Sequence, residues 1–197
     1  MYEKIASKLV AALHKANHEL DDSELQEISA YGFEISLSTF VNYLLILLIG
    51  LVAHRIMAVL VFSVIFNSLR KNVGGYHCRT YLRCNVTFCS IFGTILFLSN
   101  FLSSIANISL LIMLLLISGY GIWNWGPVEN PFKPVSEAQK KHCHTIAKTI
   151  YALASVSVIV CYIWLPYYAW VATLSMLTVA LLLPIGMVAE RRRRYEA

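Results

Sequence analysis

His77 and Cys84 are the pair in this chain best suited to chemistry. A thiolate is a strong nucleophile, and histidine is the side chain whose ordinary pKa lies nearest neutrality. A cysteine and a histidine within reach of each other can therefore carry out acyl transfer. The two stand in a polar, basic stretch from Arg70 to Cys84 that interrupts an otherwise apolar sequence. Ionisable and reactive groups at membrane depth are costly and mark functional sites. Their spacing sets a condition. On a straight helix, seven residues put both side chains on one face but ~10.5 Å apart at a rise of ~1.5 Å per residue, whereas proton transfer needs ~3 Å. The segment 77–84 must bend or begin its helix late, and Gly74 and Gly75 upstream permit unusual backbone. Arg79 and Arg83, with Arg70 and Lys71 nearby, favour the thiolate. Spacing alone leaves the bland reading open, because cysteine also packs as a small hydrophobe and basic loops occur in every polytopic protein.

The elements that must position this pair are membrane helices. The chain has 197 residues, 58% of them apolar and only 14% charged, against about 25% charged in an ordinary soluble domain. Six apolar blocks are legible: 35–53, 56–69, 86–102, 105–125, 145–165 and 167–189. The predicted fold is all-α, a polytopic transmembrane bundle of about six helices. The second block is short for a hydrocarbon core of ~30 Å and could instead be re-entrant. The charges favour six crossings: with both termini in the cytoplasm, every Lys and Arg except Arg55 falls on the inner side.

Residues 1–34 read as a cytoplasmic amphipathic segment and residues 35–197 as the transmembrane domain. No secretory signal peptide is visible, since residues 1–33 are too charged for one. Ile5, Leu9, Leu13, Ala16 and Leu20 recur at helical spacing, which predicts a helix lying on the inner leaflet. Ser23 with Gln26 fits a capping box opening a second short helix, and Gly32 is expected to end it. Trp123, Trp125, Trp164, Trp170, Tyr167 and Tyr168 sit near block ends, as interfacial aromatics should. The five cysteines show no framework spacing and read as reduced thiols. Cys89 and Cys161 read as packing residues.

Gly74-Gly75-Tyr76-His77-Cys78, then five residues and Cys84, after a short apolar block and a basic step, resembles the accessory gene regulator B (AgrB) family. The resemblance extends to most of the chain: a length near 200 residues, Glu34 at the start of the first span after Tyr31-Gly32, and a proline-rich basic loop from Gly126 to Pro134 after the fourth block. Cys78 departs from the pattern, where a small residue such as alanine is expected, and this bears on which thiol reacts. The resemblance implies a membrane-embedded cysteine endopeptidase of Gram-positive bacteria, in the cell membrane, that cleaves an AgrD-like propeptide and helps cyclise it into a quorum-sensing autoinducer. By residue match Cys84 is then the nucleophile and His77 the base. It also implies a homodimer, which the sequence itself does not indicate.

Other positions carry two readings each. Arg70, Lys71, Lys133, Lys140 and Lys141 on the inner face serve topology and attraction to anionic lipid at about 1 kcal/mol per charge, or they steer the acidic tail of a propeptide. Gly74, Gly75 and Arg79 join Arg70, Lys71 and Lys133 as expected substrate contacts. Asn85 and the backbone N–H groups around it are candidate oxyanion donors. Glu34 and Asn67 are candidate orienting groups for His77, or merely polar residues at helix ends. His142-Cys143-His144 looks like a metal tract, but adjacent residues do not converge on one ion, so no metal or other cofactor is expected, and no nucleic-acid partner. Two other classes compete. A channel or transporter predicts intramembrane charge or paired broken helices, which the blocks lack. A non-enzymatic scaffold presenting a peptide predicts that Cys84→Ser keeps activity.

Overall fold

In a computed structural model the chain forms six long helices. The structure describes residues 23–74, 80–105, 107–127 and 137–196, so the amphipathic pattern over residues 5–20 lies outside the described residues. The helices are α1 (Ser23–Val52), α2 (Ile56–Val73), α3 (Tyr81–Ile105), α4 (Ile108–Trp125), α5 (Glu137–Tyr162) and α6 (Pro166–Glu196). Each holds a stretch long and apolar enough to cross a membrane. The second block is not too short after all. Arg70, Lys71 and Asn72 continue its helix to Val73, giving 18 residues, or ~27 Å at ~1.5 Å per residue.

Two boundaries differ from expectation. Gly32 does not end a helix, because α1 runs unbroken from Ser23 through it. A mid-helix glycine costs only about 1 kcal/mol, and the apolar run that follows outweighs it. Ser36 donates a hydrogen bond to the Gly32 carbonyl at 2.9 Å. At the other terminus α6 continues past the apolar block into the arginines.

Helix α6 is the axis of the bundle. It packs against α2, α3, α4 and α5, and 56% of its apolar window is buried, against 18% for α1. A helix buried on every side must be apolar or satisfy its own polar groups. Accordingly Thr173 and Ser175 donate to the carbonyls of Ala169 and Val171 at 2.9 and 2.6 Å. Trp170 belongs to this core: it is fully buried, not interfacial as its place near a block end suggests. The converse holds for Cys161, which is exposed at the end of α5 rather than packed.

Around the axis, α2 and α3 meet through Phe62, Phe66, Phe88 and Phe92, with ring centroids 5.0 to 5.6 Å apart, the separation at which aromatic pairs attract. Tyr151 ties α5 to α4 by donating to the Leu115 carbonyl, with the Ser118 hydroxyl 2.9 Å away. Helix α1 is peripheral and packs on α2 and α3. At Gly50 it comes so close to α2 that a Cβ would strike the Val59 side chain.

Candidate active site

The site end of the bundle gathers the last turn of α2, the first turn of α3, the end of α4 and the start of α5. Helix α2 stops at Gly74, whose N–H donates to the Arg70 carbonyl at 2.9 Å. Gly74 has φ 73° and ψ −144°, a region that side-chain-bearing residues essentially avoid. The glycine is what lets the chain leave α2 in this direction. Arg70 lies with its guanidinium carbon 5.4 Å from the Phe66 ring centroid, so its stem stays against the helix it ends. Lys71 is exposed. Gly75, His77, Cys78 and Arg79 lie outside the described residues, as does Lys133.

Helix α3 begins at Tyr81, after His77 in the chain. Thr80 caps the helix: its hydroxyl accepts from the Arg83 N–H at 3.4 Å and its carbonyl from the Cys84 N–H at 3.1 Å, the role threonine commonly fills at a helix start. Cys84 is thus a first-turn residue, half-buried and in no disulfide. This removes one expected oxyanion donor. The Cys84 N–H is already engaged with Thr80, so the backbone donors left open by the helix are those of Tyr81 and Leu82.

Asn85 points another way. It is 5% exposed, and its Oδ1 accepts from the Ser38 hydroxyl at 3.3 Å across the α1–α3 contact. Successive residues diverge by ~100° on a helix, so Asn85 holds α3 to α1 while Cys84 faces a different direction. Sequence reasoning missed Ser38, for the pair is separated by 47 positions. Spacing on α1 gives a hint: Glu34, Ser38 and Asn42 stand four apart and share one face. The Asn42 Oδ1 is buried without a hydrogen bond among the described residues.

Of the two candidate orienting groups for His77, Asn67 donates its amide to the Ser63 carbonyl of its own helix at 2.6 Å. Glu34 is half-buried on α1. On α5, Lys140 pairs with Glu137 at 3.7 Å, and Lys141 is exposed. His142, Cys143 and His144 follow one another on α5 and radiate from its axis. The His144 Nε2 is buried with no hydrogen bond among the described residues. Among those residues no group of three or more His, Cys, Asp or Glu is set to hold a metal ion.

The family model for Accessory gene regulator B matches residues 2–184. A protein of Clostridium perfringens (strain 13 / Type A) described as AgrB-like is 32% identical over 148 residues, covering 72% of this chain and 67% of that one. No solved structure matches. Six apolar helices and a match over nearly the whole chain make this a multi-pass membrane protein whose family supports involvement in the processing of an agr quorum-sensing autoinducer, with an AgrD-like propeptide as its partner. The chain belongs to the accessory gene regulator B family.

Proposed function

We propose that this protein is a membrane-embedded cysteine endopeptidase that removes the C-terminal tail of an AgrD-like propeptide and promotes its cyclisation. The observation that carries the reading is the place of Cys84: a half-buried thiol, in no disulfide, in the capped first turn of α3. The positive end of the helix there faces whatever negative charge forms on the sulfur or on the carbonyl oxygen it attacks.

The Cys84 sulfur attacks the carbonyl at the boundary between ring segment and tail, and His77 takes the thiol proton. The C–N bond then breaks, His77 returns the proton to the leaving amine, and the tail departs. What remains is an acyl-enzyme thioester. A cysteine thiol within the propeptide attacks that thioester, closing a thiolactone and freeing Cys84. The second exchange trades one thioester for another and is nearly isoenergetic, so it needs no ATP. The first is uphill from an amide, so loss of the tail has to be made irreversible. The site must also keep water from the intermediate. In this reading the site and both termini face the cytoplasm, where the basic residues concentrate, and Arg70, Lys71, Arg79 and Lys133 meet the acidic tail.

The test is cleavage of a co-expressed, tail-tagged AgrD-like propeptide by Cys84→Ala, Cys84→Ser, His77→Ala and Cys78→Ala. The first three are expected to abolish tail release and the fourth to retain it. Tail release by Cys84→Ala would end the protease reading, and loss in Cys78→Ala alone would move the nucleophile.

A further inference from the structure

A groove of about 480 Å³ runs between α3 and α6, lined among others by Thr87, Ser90 and Thr94 of α3 and Leu177, Thr178 and Leu181 of α6. Its volume is that of a small-ligand site, ~300–1,000 Å³. It begins about one turn beyond Cys84. Cys84, Thr87, Ile91 and Thr94 recur at intervals of three and four, so they lie along one stripe of α3. Asn85, by contrast, faces α1. The seam between α3 and α6 therefore leads to the sulfur.

The walls are mostly apolar, and two of the hydroxyls in them stand open to the groove. Many hydroxyls of the spanning helices turn onto their own backbone: Ser155 onto Tyr151, Ser157 onto Leu153, Thr173 onto Ala169 and Ser175 onto Val171. Ser63 and Ser99 make no such bond among the described residues, but both are enclosed in the bundle. Inside the groove Thr178 does the same with Leu174 at 2.7 Å. Ser90 and Thr94 do not. Both are exposed to the groove, and neither hydroxyl forms a hydrogen bond among the described residues. At membrane depth an unpaired polar group is costly. A lipid chain lying in the groove would offer these hydroxyls nothing, whereas a peptide backbone offers both carbonyls and N–H groups.

We propose that the α3–α6 groove binds an apolar stretch of the propeptide next to the scissile bond in extended form, with Ser90 and Thr94 hydrogen-bonding its backbone. The inference rests on Cys84 being the nucleophile. The apolar walls select apolar side chains, the hydroxyls fix the register of the peptide, and the stripe of α3 sets its carbonyl against the sulfur.

Two measurements test this apart from the chemistry itself. The first is tail release as a function of propeptide concentration, beside the rate at which iodoacetamide alkylates Cys84. Ser90→Trp fills the groove and is expected to raise KM roughly tenfold, and Thr94→Val, which removes only a hydrogen-bonding group, roughly threefold, each with alkylation of Cys84 within about twofold of the parent. Val160→Trp, on the exposed face of α5, leaves KM unchanged. The second measurement puts photoreactive p-benzoylphenylalanine in place of Leu181 in a Cys84→Ala background, where binding persists without turnover, and weighs the adduct. Propeptide mass is expected. An adduct of lipid alone or of a second copy, or an unchanged KM in both groove variants, overturns the groove while leaving the protease reading in place. Tail release by Cys84→Ala defeats that reading instead.

Discussion

The two ends of the bundle are built differently. At the end remote from Cys84 the connections are tight. Three residues join α1 to α2, closed by bonds from Ala53, His54 and Arg55 N–H to Ile49, Leu51 and Gly50 carbonyls at 2.7 to 3.0 Å. At the turn from α5 to α6 the Trp164 and Leu165 N–H groups both close onto the Cys161 carbonyl, and Pro166 opens α6 in the position where its missing N–H is not needed. At the Cys84 end the connections from α2 to α3 and from α4 to α5 are longer, and they hold the glycine pair, His77, Arg79 and Lys133, with further basic residues in the helix turns that flank them. One end is closed by short turns, and the other, under the proposed function, receives substrate. A chain that needed only stability would have closed both ends alike.

The cysteines give the sharpest contrast. Cys84 and Cys161 both lie outside any disulfide on membrane helices, one at each end. Cys84→Ala is expected to eliminate tail release, and Cys161→Ala to leave it within about twofold of the parent by kcat/KM. Equal loss in both would mean that the thiols act through packing and that the two ends do not differ in chemistry.

The glycines come next. Gly74 occupies backbone that side chains avoid, and the strain of an alanine there is about 1–3 kcal/mol. Gly50 has ordinary helical backbone, but an added Cβ meets the stiff, buried Val59. Overpacking of about 1–3 kcal/mol is offset there by about 1 kcal/mol of helix propensity. Gly74→Ala should therefore lower kcat for tail release, because the relaxed backbone shifts the segment that carries His77. Gly50→Ala should lower the thermal midpoint and leave kcat alone. If Gly74→Ala releases the tail at the parental rate, the glycine is only a helix stop.

How much of this was legible beforehand follows the same division. All six spans could be read, because a run of apolar residues long enough to cross a bilayer has few other uses. Their ends were misplaced where polar residues extend the helix, as at Arg70 to Val73 and at Glu137, since an α-helix satisfies its own backbone whether or not its side chains are apolar. Burial was read less well. Trp170 was expected at the interface and Cys161 in the core, and the reverse holds. Hydropathy marks depth along a helix but not which helix becomes the axis. At the site, residue type singled out His77 and Cys84, and of the two the structure describes Cys84, in the first turn of α3. The Ser38–Asn85 contact was invisible, because nothing local in sequence links α1 to α3.

That contact yields a smaller effect at the site end. Ser38→Ala removes the hydroxyl that meets Asn85 Oδ1, and interhelical hydrogen bonds within membranes average about 0.6 kcal/mol. Global stability should barely move, yet the bond anchors the residue next to Cys84. The expected signature is a fall in kcat with KM unchanged, restored in part by Ser38→Thr. A fall in thermal midpoint with unaltered kcat would make the pair structural glue only.

The smallest effect belongs to the remote end. The Arg55 guanidinium carbon sits 4.3 Å from the ring centroid of Tyr167, bridging the start of α2 to the start of α6. Both residues are half-buried, and a contact of this kind is worth about 0.5–1 kcal/mol. Arg55→Gln should lower the thermal midpoint by about 1–3 °C, and Arg55→Lys by less, because an ammonium keeps the charge while losing the planar stacking. Tail release should follow parental kinetics in both, since nothing at this end touches substrate. In the proposed orientation Arg55 is also the one Lys or Arg outside the inner clusters, so removing it would strengthen the charge bias that sets orientation rather than weaken it. Slower cleavage by Arg55→Gln at temperatures where it remains folded would show that the closed end transmits its packing through α6 to the open one, and the division between the two ends would fail.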